Sequence, residues 1–371
     1  MLVTNPFKPD PRVYKEAKSL AKHGHEVYVV AWDREGKYSE FEEVDGIKII
    51  RTGPKADYGV RVLLKLPLFY LKAFVWVLKL KPNIIHTHDF DTSLLGYFAR
   101  GFVGSIWIQD IHDLYSKMIA KSGVPRLVTG ILWAIEKLVY TFPDALIIVS
   151  PKFKWLLRGS QRERSIVIRN VPLSEYDNTL ELSVPKGVFY GGVLSSDRGI
   201  LDVIHVCSEL RIPFLIAGIG DESFVRKIRR VAGANFIGYI PRDEYIKLVQ
   251  KYGIIPIIFD PDSEEENSKY ALPNKFFDAL CLGAIPLVSR GTYLAELVEF
   301  HRIGVSVNYG NRIDLKDKLI SIFTNRKLSK KIQIRARKMC QKHFQWCYEE
   351  VKLIDLYLRV SQYLGRSSQW K

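Results

Sequence analysis

The stretch YALPNKFFDALCLGAIPLVS, residues 270–289, reads as a helix start, a helix, a stop and a buried strand in immediate succession. Pro273 and Asn274 favour a helix start, where the N–H that proline lacks has no partner anyway. Gly283 suits the end of a helix over 274–282. Ile285–Ser289 is unbroken and apolar, as a strand covered on both faces must be. Upstream, Ile254–Phe259 is a second such run, so strand, helix and strand form one unit of a parallel sheet. A helix start leaves the N–H groups of Lys275, Phe276 and Phe277 unpaired at the carboxyl side of the preceding strand. That arrangement favours an anion, and Lys275 adds charge to it. Asp278, one turn in, stands where it could accept from a ribose diol or be an ordinary solvated helix residue.

The same alternation extends in both directions. In the second half, Val188–Tyr190, Phe214–Ala217 and Asn235–Ile237 read as strands, and 200–210, 223–232, 242–252 and 293–300 as helices. In the first half, a helix over 12–23 ends at Gly24. Strands follow at 26–31, 47–51, 83–87, 105–109, 146–150 and 165–169, with Leu2–Thr4 as a stub of one at the start. VPLSEYDNTLELSVPK, residues 171–186, lapses into a linker. From Leu315 to about Leu364 the pattern is helical only. Two α/β domains of Rossmann type result, and 371 residues suit two domains of about 150–200 each.

Three more strand ends carry chemistry. VFYGGVLSSDRG, residues 188–199, ends a strand on Gly191 and Gly192, which let a ligand approach the backbone. Arg198 in that loop suits a bidentate pyrophosphate contact, or is a surface charge. LIAGIGDE, residues 215–222, turns at Gly218, and in NFIGYIPRDEY, residues 235–245, the backbone from Phe236 through Ile240 is placed for a nucleobase edge. Neither GxxxxGK[ST] nor a strand-borne GxGxxG occurs, which disfavours a P-loop NTPase and a standard dinucleotide oxidoreductase.

Composition narrows the class further. At 47% hydrophobic and 26% charged, the chain builds packed cores and is not disordered. Cys207, Cys281, Cys340 and Cys347 form no CxxC pair and no cluster with histidine. The expectation is no disulfide framework, no zinc site and a reducing compartment. The N-terminus turns polar after three residues, so no signal peptide is expected. The charge of +15 is spread over both halves, which points to an anionic partner. No nucleic-acid-binding module accompanies it.

RVLLKLPLFYLKAFVWVLKLK, residues 61–81, lines Arg61, Lys65, Lys72 and Lys79 along one side of a helix. Its lysines exclude a membrane span. Two readings remain: an interfacial helix against an anionic membrane surface, or a crossover helix with a narrow charged window, its regular part starting at Pro67.

Together with DPRVYKEAKSLAKHGHEVYVV (10–30), PNIIHTHDFDTSLLG (82–96), QDIHDLYS (109–116), IEKLVYTFPDALIIVS (135–150) and IRNV (168–171), these blocks resemble the retaining GT-B glycosyltransferases of family 4. The resemblance implies two Rossmann-like parallel-sheet domains facing a cleft, with ligand at the carboxyl ends of the strands. Residues 1–178 would bind acceptor and 186–343 nucleotide-sugar, with a C-terminal helix at 344–371 packing back onto the first domain. It further implies retaining transfer of a sugar to a saccharide or lipid-linked acceptor in cell-surface glycan synthesis. No obligatory metal, no cofactor and no nucleic acid belong to that picture, and the setting is cytoplasmic, on the inner membrane face. His112 matches the histidine such enzymes place near the anomeric centre. His88 and Asp89 would orient acceptor, and Arg12 would meet acceptor or phosphate. His86 is read as structural, pointing to the other side of its strand.

The pattern is broken in places. Of two carboxylates eight positions apart, Asp278 matches the second but Tyr270 stands at the first, with Glu264, Glu265 and Glu266 just upstream. Gly192 occupies the usual place of one phosphate-binding cation; Arg198 matches the other, and Lys275 would compensate. A nucleotide-sugar epimerase of the same fold and a non-catalytic GT-B-like subunit therefore stay open beside the transferase.

Overall fold

The computed structural model describes residues 1–8, 10–56, 62–120, 124–173, 182–262 and 266–367. Arg61, Glu264, Glu265 and half of the linker at 171–186 lie outside them. The chain divides into two compact units: Met1–Arg169 with Glu349–Lys371, and Asn170–Tyr348.

The first unit contains β1 (Leu2–Val3), α1 (Pro11–Lys22), β2 (Val27–Ala31), β3 (Phe41–Val44), β4 (Ile47–Arg51), α2 (Val62–Leu80) and β5 (Ile84–His88). Then come α3 (Phe90–Val103), β6 (Ile106–Ile111), α4 (Tyr115–Ala120), α5 (Arg126–Val139), β7 (Ala145–Ile148), α6 (Ser160–Glu163) and β8 (Ser165–Val167). Its sheet runs β3-β4-β2-β1-β5-β6-β7-β8. Every pairing is parallel except β3 with β4, which join through Asp45 and Gly46, both at positive φ as a tight hairpin requires. Asp10 caps α1 by accepting from the Val13 N–H at 3.1 Å, and Pro11 occupies the first turn. Pro67 lies inside α2 rather than at its start, since the helix begins at Val62. As the sixth residue of α2 it lies past the N–H groups that a helix start leaves free, so one bond of the ladder is missing.

Side chains alternate across this sheet with the period of two that strands impose. Thr87, Trp107 and Gln109 turn toward α3, where a Cβ on Gly96 would come within 2.6 Å of the Trp107 ring. His86, His88 and Asp110 turn to the opposite face, beneath α1.

The second unit contains β9 (Gly187–Gly191), α7 (Ile200–Glu209), β10 (Phe214–Ala217), α8 (Glu222–Ala232), α9 (Arg242–Tyr252), β11 (Gly253–Ile257) and α10 (Glu266–Tyr270). It continues with α11 (Asn274–Leu282), β12 (Ile285–Ser289), α12 (Tyr293–His301), β13 (Val305–Val307), α13 (Arg312–Thr324) and α14 (Arg326–His343). The order β10-β9-β11-β12-β13 is parallel throughout, packed around Val188, Ile216, Ile254, Ile285 and Leu287. Asn235–Ile237 is no strand: a 3-10 turn leads to one bridge between Ile216 and Phe236, and Gly238 at φ +75° then turns the chain away. The fifth strand is instead the three-residue β13, too short for its periodicity to register.

Cys281 on α11 and Cys340 on α14 are joined as a disulfide, contrary to the expectation from spacing. Spacing along the chain does not reveal that these helices pack side by side, with the two Cα atoms 5.1 Å apart. The last helix, α15 (Trp346–Ser367), belongs from Glu349 onward to the first unit. There Glu349 meets Arg169 at 3.1 Å and Tyr357 meets His86 at 2.8 Å. Among the described residues no helix is long and apolar enough to cross a membrane.

Candidate active site

In the first unit, the carboxyl ends of β5 and β6 gather a charged cluster around one buried carboxylate. Asp110, fully buried on β6, accepts from Arg12 through both oxygens, at 2.7 and 2.8 Å. Its Oδ2 also lies 2.8 Å from His112 Nε2 and 3.3 Å from His88 Nδ1. Two residues beyond Asp110, the chain leaves the strand and places His112 over its end. Asp89 grips His112 from the other side, with one oxygen 3.2 Å from Nδ1 and the other accepting the His112 backbone N–H at 3.0 Å. Asp89 itself takes φ +61°, a conformation unusual for a side chain with a Cβ.

The electrostatics follow from this packing. Burial works against charge on His112, but Asp89 and Asp110 outweigh it and hold the imidazolium well above the usual histidine range. Burial likewise opposes ionisation of Asp110, yet Arg12 and His112 overcome it and hold the carboxylate well below its usual range. Burial pulls His88 and His86 below the usual histidine range. Glu16, one turn beyond Arg12, is pushed up to about 8 by burial and by Asp110. Only His112 and Asp89 retain open surface, at 21% and 34% of their side chains, so a ligand would meet an imidazolium clamped between two carboxylates.

Glu16, His86, His88 and Asp110 place four metal-capable atoms within 4.8 Å of one another. Arg12 lies against both carboxyl groups of this set, at 3.1 Å from Glu16 and 2.7 Å from Asp110.

In the second unit, two glycine turns interlock at the strand ends. A Cβ on Gly218 would stand 1.8 Å from the Gly192 carbonyl oxygen, and one on Gly191 would strike the Tyr245 ring at 2.6 Å. Lys275, in the first turn of α11, lays its Nζ 4.2 Å from the Tyr190 ring centroid, in the space a Cβ on Gly192 would approach. Burial, with repulsion from Arg198, pulls this ammonium down to about 7. Arg198 stacks on Phe259 at 4.4 Å, and its buried Nε lacks a hydrogen-bond partner. Arg198 Nε also stands 3.8 Å from Asp197 Oδ1, so one carboxylate accompanies the two cations.

The anticipated residues are thus sorted by the fold. Arg12, His88, Asp89 and His112 come together in one cluster, as do Gly191, Gly192, Arg198, Gly218 and Lys275 in another. Arg12 is buried and committed to Asp110, Glu16 and the Ile168 carbonyl, so it organises the first cluster rather than reaching a ligand. Asp278 is buried and paired bidentately with Arg242 at 2.6 Å, which makes it an anchor for α9 rather than a solvated residue. Phe276 packs inside against Phe277, and its N–H is taken by the Pro273 carbonyl at 2.9 Å, so it is not a free donor. Asn274 opens α11, Ile240 lies in the loop before α9, and Tyr270 ends α10. His86 does not point away: it stacks on His88 at 4.4 Å, as two residues along one strand face must. Asp110, Glu16, Arg242 and Tyr357 escaped the reading. Asp110 had a signal, standing two residues before His112, whereas Tyr357 and Arg242 meet partners remote in sequence.

Comparison with known proteins agrees with this architecture. The family model described as glycosyl transferase 4-like domain matches residues 9–171. No curated protein is detectably similar in sequence. Among solved structures, sucrose-phosphate synthase from Thermosynechococcus elongatus superposes with a TM-score of 0.81 at 16% identity, covering 98% of each chain. A glycosyltransferase from Rickettsia africae gives 0.69 at 15% identity over 97% of each chain. HepE of Anabaena, in complex with UDP-glucose, gives 0.69 at 12% identity over 98% of each. The chain therefore has the GT-B fold, and its residues 9–171 are similar to a glycosyl transferase 4-like domain.

Proposed function

We propose that the protein transfers a sugar from a nucleotide-sugar donor to a saccharide or lipid-linked acceptor, with retention of configuration, in the synthesis of a cell-surface glycan. The observation that carries this reading is the pair Arg198 and Lys275 beside the glycine turns of the second domain. A diphosphate is the ligand whose charge and bidentate geometry suit them. Those cations would neutralise the leaving diphosphate, a task otherwise left to a metal, so no metal is required. In a retaining transfer of this kind the leaving phosphate takes the acceptor proton on the same face. The protein then needs to position and to balance charge rather than to supply a base. His112 would serve the donor sugar, and His88 and Asp89 the acceptor. A seat on an anionic membrane surface, with Lys65, Lys72 and Lys79 toward it, belongs to the same reading.

Calorimetric titration with UDP-, GDP- and ADP-sugars, followed by transfer assays on a membrane extract, tests it. The UDP-glucose bound by HepE makes uridine donors the first choice. Binding plus transfer with chelator present is expected, and the anomeric proton coupling of the product reads out retention. Absence of binding to every donor overturns the proposal. Tyr270 in place of a carboxylate, and Asp278 held by Arg242, favour a second reading as a non-catalytic subunit. Donor binding without transfer to any acceptor would select it.

A further inference from the structure

Resting on the sugar transfer proposed for this protein, we infer that Asp91 is the carboxyl group that grips an uncharged sugar ring of the acceptor, by accepting from one of its hydroxyls. Three carboxyl groups stand at the carboxyl ends of β5 and β6, and two of them are spent. Asp110 is buried, with its oxygens turned to Arg12, His88 and His112. Asp89 gives one oxygen to the backbone N–H groups of His112 and Asp113 and the other to the His112 ring. Both oxygens of Asp89 have partners, so what it does for an acceptor it does through His112. Asp91 differs. It stands in the first turn of α3 and is only half-buried. Its Oδ2 accepts from the hydroxyl of Thr4, just past β1, and among the described residues its Oδ1 accepts from none.

The neighbours of Asp91 are those of a sugar site. Tyr70 donates to the Asp91 carbonyl at 2.5 Å. Tyr115, half-buried at the start of α4, sets its ring 5.7 Å from that of Phe90, and its phenol feels the Asp91 charge. Burial and the nearby Asp89 push the Asp91 carboxyl up to about 7, against the pull of Thr4, Arg34 and His112. A carboxyl with one oxygen to offer, among phenols and an aromatic face, suits the hydroxyls and the apolar face of a sugar ring. A phosphate or carboxylate on the acceptor at this point would instead face Asp89 and Asp91 together, so the ring held here is uncharged.

The test uses the methyl glycosides of glucose, galactose, mannose, N-acetylglucosamine and glucuronic acid as probes, their binding to the full chain read by saturation-transfer NMR. At least one neutral probe is expected to bind, and Asp91→Asn should weaken it by about tenfold or more. The amide oxygen can still accept from Thr4, so thermal unfolding and donor calorimetry should hold. A pH series gives a readout that a loosened fold would not imitate. The ionised carboxyl is the form that accepts from a hydroxyl, so binding should strengthen as pH rises toward about 7 and level off above it, by up to about tenfold per unit. Asp89 and His112 stay charged there, held below and above that range. In Asp91→Asn the dependence should vanish. No bound neutral probe, equal binding by the variant, a flat pH series for the unaltered protein, or tighter binding of the glucuronide than of every neutral probe overturns the proposal. Saccharide binding without donor binding would sink only the proposed function. Sugar transfer with saccharide affinity unchanged in Asp91→Asn would sink only the role of Asp91.

Discussion

At the scale of single residues, the first domain turns on Asp110 and His112. Charge on His112 exists because two carboxylates outweigh the cost of burial, so removing one should release it. Asp89→Asn is expected to move the His112 titration down toward the ordinary histidine range, read from its imidazole proton shifts by NMR. His112→Ala should lower kcat for sugar transfer by about a hundredfold or more, if it contributes as a positioned electrostatic group does. The second domain offers a pH test. Lys275 is depressed to about 7 in the free protein, and a bound diphosphate would raise it. Above pH 7 donor binding must then take up a proton, so affinity should fall as pH rises, by up to about tenfold per unit. Lys275→Arg, which stays charged, should flatten that slope in calorimetric titrations at several pH values. Arg198→Ala should weaken donor binding by about 1–3 kcal/mol, at any pH where the protein is folded.

Secondary-structure elements bring a different lesson, about what a sequence discloses. Strands β9 to β12 and helix α11 were legible because apolar runs and helix punctuation are local signals. Gly191, Gly192 and Gly218 were legible as turns, but not as two turns pressed together. That contact depends on the parallel pairing of β9 with β10, which aligns Tyr190 with Ile216 and Gly191 with Ala217. Gly218→Ala should therefore force the loops apart, since its Cβ has no room beside Gly192 and its φ is +146°. Lost donor binding and a lowered melting temperature are expected. Gly101→Ala, inside α3 with nothing within 4 Å of the new Cβ, should instead stabilise by about 0.5–1 kcal/mol. Asp278 and Arg12 show the limit from the other side. Their chemistry was plain in sequence, but partners at Arg242 and Asp110, far along the chain, decided how that chemistry is spent. The hairpin of β3 with β4 was announced by Asp45–Gly46 and went unread, because its strand FEEV lacks an apolar pattern.

For the whole molecule, the net charge of +15 acquires places: two cations at the glycine turns, and a row on α2 in the first domain. The disulfide is confined to the second domain and closes a loop of 59 residues. Such a crosslink contributes about 4 kcal/mol by restricting the unfolded chain. Cys281→Ala with Cys340→Ala should lower the melting of the second domain alone, seen calorimetrically as a shift of one transition while the other holds.

The return of α15 has a consequence for the living chain. Glu349 and Tyr357 supply partners to Arg169 and His86, yet they are translated more than 150 residues after them. While the ribosome is still reading the second domain, the first stands unfinished, with His86 and Arg169 still lacking these partners and the part of the sheet face beyond α1 uncovered. The second domain, continuous from Asn170 to Tyr348, has no such wait. The part made first is thus the part completed last, and in the interval a nascent chain exposes apolar surface that a chaperone would have to cover.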